Sequence, residues 1–129
     1  MKLRIRGNSV RLRLGRAEVE RAGEGVAVEE TTRFSTLQRL VTRFEPGDVE
    51  SPEADFVGGT IRVRWPRAAV QAWAKSEEVS LEAHVALEGV EAEESLRLLV
   101  EKDFACLAPR PEEDETDAYP HPNAGTATC

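Results

Sequence analysis

Two segments of the chain match each other closely enough to constrain the fold. Residues 7–22 (GNSVRLRLGRAEVERA) align without a gap with residues 58–73 (GGTIRVRWPRAAVQAW), and six of the sixteen positions are identical. Each segment begins at a glycine-containing turn, continues with alternating apolar and polar or basic residues, and ends in a helical pattern. We interpret the match as an internal duplication of a ββαββ unit.

The duplication predicts an α+β fold with about eight mostly antiparallel strands and two short helices. Gly7-Asn8 and Gly58-Gly59 each separate two runs that favour a β-hairpin. The predicted strands are 2–6, 10–14, 26–34 and 37–45 in the first repeat, about 1–46, and 54–57, 60–65, 79–87 and 96–104 in the second, about 53–107. A helix is predicted over 16–22, and a second is opened by Pro66.

Neither repeat is expected to be stable alone, because a four-stranded sheet with one short helix leaves an apolar face open. We therefore expect the two repeats to bury their faces together in a sheet or barrel-like sandwich. Val19 and Ala22 in the first helix, and Val70 and Trp73 in the second, have the i, i+3 spacing of a buried helix face.

The composition changes near Ala108. Residues 108–129 hold four prolines, a run of acids and one large apolar residue, Tyr119, which is too little to offset the entropy of ordering. We predict a disordered acidic tail there and a single domain over 1–107. The two cysteines form no disulfide framework, no apolar run spans a membrane, and the start is not a secretory signal, so a cytoplasmic location is expected.

A basic stripe occupies the start of the chain. Residues 1–16 hold six basic side chains and no acid, although the net charge of the chain is -7. The predicted turn at Gly7-Asn8 sets the cross-strand pairs Lys2–Arg13, Arg4–Arg11 and Arg6–Ser9. Like charges directly opposite each other are unfavourable. In the second hairpin, by contrast, Asp55 would face Arg62 and Glu53 would face Arg64.

A source of negative charge is therefore expected beside the first hairpin. It is either a set of acids on neighbouring strands, the acidic tail, or an external anion such as phosphate, which guanidinium groups bind well. The candidate anion-binding residues are Lys2, Arg4, Arg6, Arg11, Arg13, Arg62 and Arg64. A small phosphorylated anion or a protein partner is favoured over nucleic acid, because the chain is acidic and no aromatic residue interrupts the stripe.

Other chemistry is weakly indicated. Glu101 and Asp103 alternate on one predicted strand and are candidates for holding a divalent cation beside the arginines. Cys106 is a candidate reactive thiol, although a small buried hydrophobe is the commoner role. His84 is predicted to be a half-buried sheet residue. No phosphate-binding loop, nucleophile elbow or zinc motif is present in the sequence, and no cofactor is expected.

The two ends of the chain resemble a family of short, uncharacterised bacterial proteins. The opening MKLRIRGNSVRLRL is similar to that family's basic and apolar start, and its closing EKDF-x-CL pattern matches Glu101, Lys102, Asp103, Phe104, Cys106 and Leu107. The resemblance implies that the segment after the last strand belongs to the protein, and it transfers no catalytic residue. The predicted architecture also resembles, more loosely, the CYTH triphosphate-tunnel superfamily. That superfamily carries metal-binding acids on its first strand, where this chain has Lys2, Arg4 and Arg6.

Two classes of function follow. The first is a non-enzymatic binding or interaction module that uses the arginine-rich sheet face. The alternative is a phosphate-handling enzyme or binder of CYTH-like architecture, in which the arginines hold a triphosphate or nucleotide and Glu101 or Asp103 holds a cation. The depth of the charged face discriminates between them, because an enzyme needs a concave pocket with converging groups.

Overall fold

The computed structural model describes residues 1–87, 89, 94–104 and 119. Within that part of the chain, eight strands and two helices form. In chain order they are β1 (Lys2–Arg6), β2 (Ser9–Leu14), α1 (Arg16–Gly23), β3 (Val28–Arg33), β4 (Arg39–Gly47), β5 (Glu53–Val57), β6 (Thr60–Pro66), α2 (Arg67–Lys75), β7 (Ser80–Ala86) and β8 (Ser95–Lys102). The predicted α+β class, the number of strands and the number of helices are confirmed for the described residues.

The strands form two separate four-stranded sheets and do not close into a barrel over the described chain. Sheet A has the order β1-β2-β8-β7, and sheet B has the order β3-β4-β6-β5. The outer pairs are antiparallel, whereas the central pairs β2–β8 and β4–β6 are parallel. Each sheet therefore takes one hairpin from each half of the chain. The expectation that one half makes its own four-stranded sheet was wrong.

The two sheets have the same plan. In each sheet, the first hairpin of one half of the chain pairs with the second hairpin of the other half. Sheet A combines β1–β2 with β7–β8, and sheet B combines β5–β6 with β3–β4. Gly7 and Gly58 both have positive φ angles, 54° and 58°, in the turns of the equivalent hairpins β1–β2 and β5–β6. This plan is compatible with an internal duplication, which stays a prediction.

The core lies between the inner faces of the two sheets and under both helices. Leu12 and Leu14 enter it from β2, and Phe44 and Val63 enter it from β4 and β6. The predicted buried helix faces are confirmed, because Val19 and Ala22 of α1 and Val70 and Trp73 of α2 are all buried. Since side chains alternate along a strand, burial of one face leaves Arg11 and Arg13 on the other face of β2.

Some boundaries differ from the prediction. The strand predicted over 37–45 begins at Arg39 and continues through Pro46 to Gly47, because the parallel ladder with β6 extends to the pair Gly47–Pro66. Pro66 is correspondingly the last residue of β6 and lies at the N-cap of α2, with φ -53° and ψ 130°. In the described parts of the chain, neither helix is long or apolar enough to cross a membrane.

The predicted tail, 108–129, lies outside the described residues except for Tyr119. That side chain is half-buried, and its ring centroid is 5.5 Å from that of Phe104. The Arg16 guanidinium and the Lys102 ammonium lie 5.3 and 5.6 Å from the centre of the same ring. Tyr119 is therefore in contact with the folded domain, which the prediction of a wholly disordered tail did not include.

Candidate anion-binding pocket

The basic stripe lies on the outer face of sheet A in the predicted register. Lys2 is opposite Arg13, Arg4 is opposite Arg11, and Arg6 is opposite Ser9. The parallel pairing of β2 with β8 continues these three rows across the sheet. It places Glu101 beside Arg13, Leu99 beside Arg11, and Arg97 beside Ser9.

One end of this face is neutralised by acids on and just after β8. The Glu101 carboxylate lies 3.0 Å from Arg11 Nε and 3.2 Å from Arg13 Nε. The Asp103 carboxylate lies 3.1 Å from Lys2 Nζ and 3.5 Å from an Arg13 Nη atom. Both carboxylates are close to the arginines, as predicted, and both are mostly shielded from solvent. The structure thus gives three of the stripe's cations an internal partner.

The same two carboxylates were the candidates for a divalent cation site. Three of their four oxygen atoms, Glu101 Oε1 and both Asp103 oxygens, are engaged in ion pairs with Lys2, Arg11 and Arg13. No group of three or more metal-ligating side chains converges within the described residues. The cation site stays a prediction without geometric support in this part of the chain.

The other end of the face is a pocket without a carboxylate in its described lining. We call it the arginine pocket; it has a volume of about 240 Å³ and is lined by Arg4, Arg6, Ser9, Arg11, Arg97 and Leu99. Arg11 has its ion pair with Glu101, and Arg97 Nε lies 2.9 Å from a Glu82 oxygen. Arg4 and Arg6 make no ion pair with any residue that the structure describes. Among the described residues, two guanidinium groups of the pocket thus have no acidic partner and two have one.

On the equivalent face of sheet B, the charges in the rows of Arg62 and Arg64 are balanced. An Arg62 Nη atom lies 2.6 Å from Asp55, which occupies in β5 the place that Arg4 has in β1. Arg64 lies 2.7 Å from Glu45 and 3.3 Å from Glu53. The hydrogen bond that Arg64 donates holds the pKa of the Glu45 carboxyl below its ordinary value.

The seven predicted anion-binding residues therefore do not form one site. Five of them share the outer face of sheet A, and three of those five, Arg4, Arg6 and Arg11, line the arginine pocket. Arg62 and Arg64 belong to sheet B, where acids already neutralise them.

Sequence reasoning missed Ser9 and Arg97 as lining residues. The alternation of Arg97 with apolar residues in a predicted strand indicates that its side chain lies on the outer face of a sheet. Its position beside Ser9, however, depends on the parallel pairing of β2 with β8. His84 lies across β8 from the pocket; it is exposed and not half-buried as predicted, and its Nε2 atom is 3.8 Å from Glu82. Cys106, the candidate reactive thiol, lies outside the described residues.

The fold and the pocket define a class: a small α+β protein of two four-stranded sheets, with an arginine-lined cavity on the outer face of one of them. The chain belongs to the Family of unknown function (DUF7009), whose model matches residues 1–123. The expected resemblance to an uncharacterised family is thereby confirmed. No match was found among the curated proteins or among the solved structures. The resemblance to the CYTH superfamily stays a prediction, and the closed barrel that a tunnel needs is not formed by the described strands.

Proposed function

We propose that this protein is a non-catalytic binding module that takes a small phosphorylated anion into the arginine pocket. Four guanidinium groups face that pocket, and none of the described lining residues is an acid. Guanidinium groups bind phosphate oxygens with two parallel hydrogen bonds, which makes arginine the side chain best suited to such a ligand.

The observation that carries the proposal is the contrast between Arg4 in sheet A and Asp55 in sheet B. Both residues lie opposite an arginine in an edge hairpin, Arg11 and Arg62 respectively. In sheet B the pair is attractive and closes to 2.6 Å. In sheet A it is a like-charge pair: Glu101 pairs with Arg11, whereas no described carboxylate pairs with Arg4, and like charges directly opposite each other cost stability. A bound phosphate would supply the charge that Asp55 supplies in sheet B.

A binding role is favoured over the phosphate-handling enzyme because the nearest carboxylates are already engaged. Glu101 would be the first candidate to hold a metal ion or to act as a base, and it is shared between Arg11 and Arg13. The proposal also takes residues 1–107 as one domain built from two repeats, and it retains the cytoplasmic location as a prediction.

The experiment is a calorimetric titration of the full chain with inorganic pyrophosphate and triphosphate, each with and without Mg²⁺, at two salt concentrations. The test variant carries Arg4→Gln and Arg6→Gln. The control carries Arg21→Gln and Lys75→Gln, which remove the same charge from the two helices, away from the pocket. We expect binding that weakens with salt, a loss of affinity of at least tenfold in the test variant, and little change in the control.

The outcomes separate the site from general electrostatics. Equal losses in the two variants would mean that any removed charge matters and that the pocket is not the site. Absence of heat and of thermal stabilisation by all ligands would refute the proposal, because a ligand that binds the folded state must raise the melting temperature. Turnover of either anion would move the protein to the class of enzymes.

A further inference from the structure

The lining of the arginine pocket is arranged in two rows that cross sheet A from β1 through β2 to β8. The first row is Arg4, Arg11 and Leu99, and the second row is Arg6, Ser9 and Arg97. Alternate residues of a strand point to the same face of the sheet, so the backbone positions of the two rows are about 6.8 Å apart along the strands. The pocket therefore extends over two separate sets of cations.

The charge without an acidic partner is divided equally between the two rows. Arg4 in the first row and Arg6 in the second make no ion pair with any residue that the structure describes. The remaining arginine of each row has a carboxylate on β7 or β8, at 3.0 Å from Arg11 and at 2.9 Å from Arg97. One unpaired cation in each row favours a ligand that places one anionic group in each row.

The second row forms a notch in the outer face of the sheet. The short side chain of Ser9 lies between two long ones, Arg6 on β1 and Arg97 on β8. The Ser9 hydroxyl makes no hydrogen bond within the described chain, so it is available to a ligand. A phosphoryl group above Ser9 can accept hydrogen bonds from guanidinium groups on both sides and from the hydroxyl beneath it.

The first row offers a second place for an anionic group, between Arg4 and Arg11. These two residues are directly opposite each other in the β1–β2 hairpin. The acid that pairs with Arg11, Glu101, is on β8 and thus on the side of β2 away from Arg4. An anionic group between the two arginines separates two like charges that otherwise face each other, and it receives hydrogen bonds from both.

We propose that the ligand of the arginine pocket is a small organic bisphosphate, in which a short carbon chain separates two phosphoryl groups and each group binds one row. This inference rests on the proposed function and names the class of anion within it. The two phosphorus atoms of pyrophosphate share a single bridging oxygen, so that anion is too short to engage both rows fully. A ligand with separated groups satisfies Arg4 and Arg6 together.

The test is a calorimetric titration of the full chain with α,ω-alkane bisphosphonates that contain one to six methylene groups. Alkyl phosphonates of the same lengths carry only one anionic group and are the reference. We expect the affinity to rise with length to a maximum at about four methylene groups, which place the phosphorus atoms about 6.8 Å apart. That ligand should bind at least tenfold more tightly than its single-group reference, because its second group binds within the same complex. Attraction to net charge alone predicts the opposite order, in which the shortest bisphosphonate binds best.

Single arginine variants test whether both rows take part. Arg4→Gln and Arg6→Gln should each weaken the four-methylene bisphosphonate at least tenfold, and each should remove the dependence on chain length. Arg33→Gln is the matched control. Arg33 is exposed on an edge strand of sheet B, makes no ion pair with a described residue and does not line the pocket. Its replacement should leave the affinity unchanged.

A substitution in the notch tests the geometry without changing the charge. Ser9→Val fills the space between Arg6 and Arg97 and removes the hydroxyl, so it should weaken the four-methylene bisphosphonate at least tenfold. Ser9→Thr retains the hydroxyl and should cost less affinity. Thr60 occupies the equivalent place in sheet B, which indicates that both variants fold, and their melting temperatures check this.

The outcomes distinguish this inference from the proposed function. Binding that Arg4→Gln weakens, but that is independent of chain length or strongest for one methylene group, would overturn the bisphosphate and retain an anion in the pocket. Equal losses in Arg6→Gln and Arg33→Gln would refute both proposals, because the outer faces would then attract anions without a specific site. Absence of binding by every phosphonate and by pyrophosphate would also refute both.

Discussion

Replacing Arg4 with aspartate would give sheet A the charge pattern that sheet B already has. Asp55 of sheet B lies 2.6 Å from Arg62 in the cross-strand position equivalent to Arg4 and Arg11. An opposite-charge cross-strand pair contributes about 0.2–1 kcal/mol, and a like-charge pair costs a similar amount. Arg11 already pairs with Glu101, and the side chains of Arg4 and Arg11 are exposed and partly exposed, respectively. We therefore expect Arg4→Asp to stabilise the fold by about 0.5–1 kcal/mol.

The same substitution should remove function, which makes the prediction unusual. A gain of that size raises the melting temperature by about 2–5 °C in a chain of this length. The affinity for pyrophosphate should fall at least tenfold. The variant lacks the Arg4 guanidinium, and its new carboxylate pairs with Arg11, which then has less positive charge to offer a ligand. Urea denaturation followed by circular dichroism measures the change in the free energy of unfolding, and calorimetry measures the affinity for pyrophosphate.

The reciprocal substitution is the control. Asp55→Arg recreates in sheet B the like-charge pair of sheet A, and it should destabilise the fold by about 1 kcal/mol. The reasoning fails if Arg4→Asp destabilises the protein by more than about 1 kcal/mol, because Arg4 would then take part in a structural ion pair. It fails equally if Arg4→Asp binds pyrophosphate as tightly as the unaltered chain.

Two further predictions concern the core and the charged face of sheet B. Trp73 is 1% exposed, so Trp73→Ala should lower the free energy of unfolding by about 3–5 kcal/mol, as measured by urea denaturation. Trp73→Phe should cost less than half as much, because the indole Nε1 has no hydrogen-bond partner in the described chain. A loss under about 1 kcal/mol for the alanine variant would contradict the packing of α2. Arg64 lowers the pKa of Glu45, so the ionised carboxylate stabilises the fold above the unfolded pKa of about 4.3 and loses that contribution as the pH falls through the folded pKa. Glu45→Gln should therefore lower the free energy of unfolding by about 1 kcal/mol at pH 7 and by almost nothing below that pKa, as measured by denaturation at both pH values. An equal loss at both pH values would mean that ionisation of Glu45 does not contribute to the pH dependence of stability.

The hairpins were predictable because their register is local. The Gly7-Asn8 turn fixes which residues of β1 and β2 face each other, and the confirmed pairs Arg4–Arg11 and Lys2–Arg13 follow from counting outward from the turn. The pairing of Asp55 with Arg62 was predictable for the same reason. The i, i+3 spacing of Val70 and Trp73 likewise determined which side of α2 is buried.

The exchange of hairpins between the two halves was not predictable from local patterns. A parallel pair such as β2–β8 joins segments that lie far apart in the sequence, and no turn between them fixes the register. Alternation shows which face of β8 is apolar, but it does not identify the neighbouring strand. The contribution of Arg97 to the pocket, and the engagement of Glu101 by Arg11, depend on that pairing and could not be derived.

The difference between the two sheets is more informative than the basic stripe taken alone. A protein that needed only solubility could balance both outer faces as sheet B does, with an acid opposite each arginine of the edge hairpin. Sheet A balances the row of Lys2 and Arg13 in the same manner, through Asp103 and Glu101. Its excess of charge is confined to the rows of Arg4 and Arg6, in a chain whose net charge is -7. A cation cluster that is local, concave and set in an acidic molecule attracts a small anion to one place, and it repels extended polyanions that must also meet the acidic surface around it.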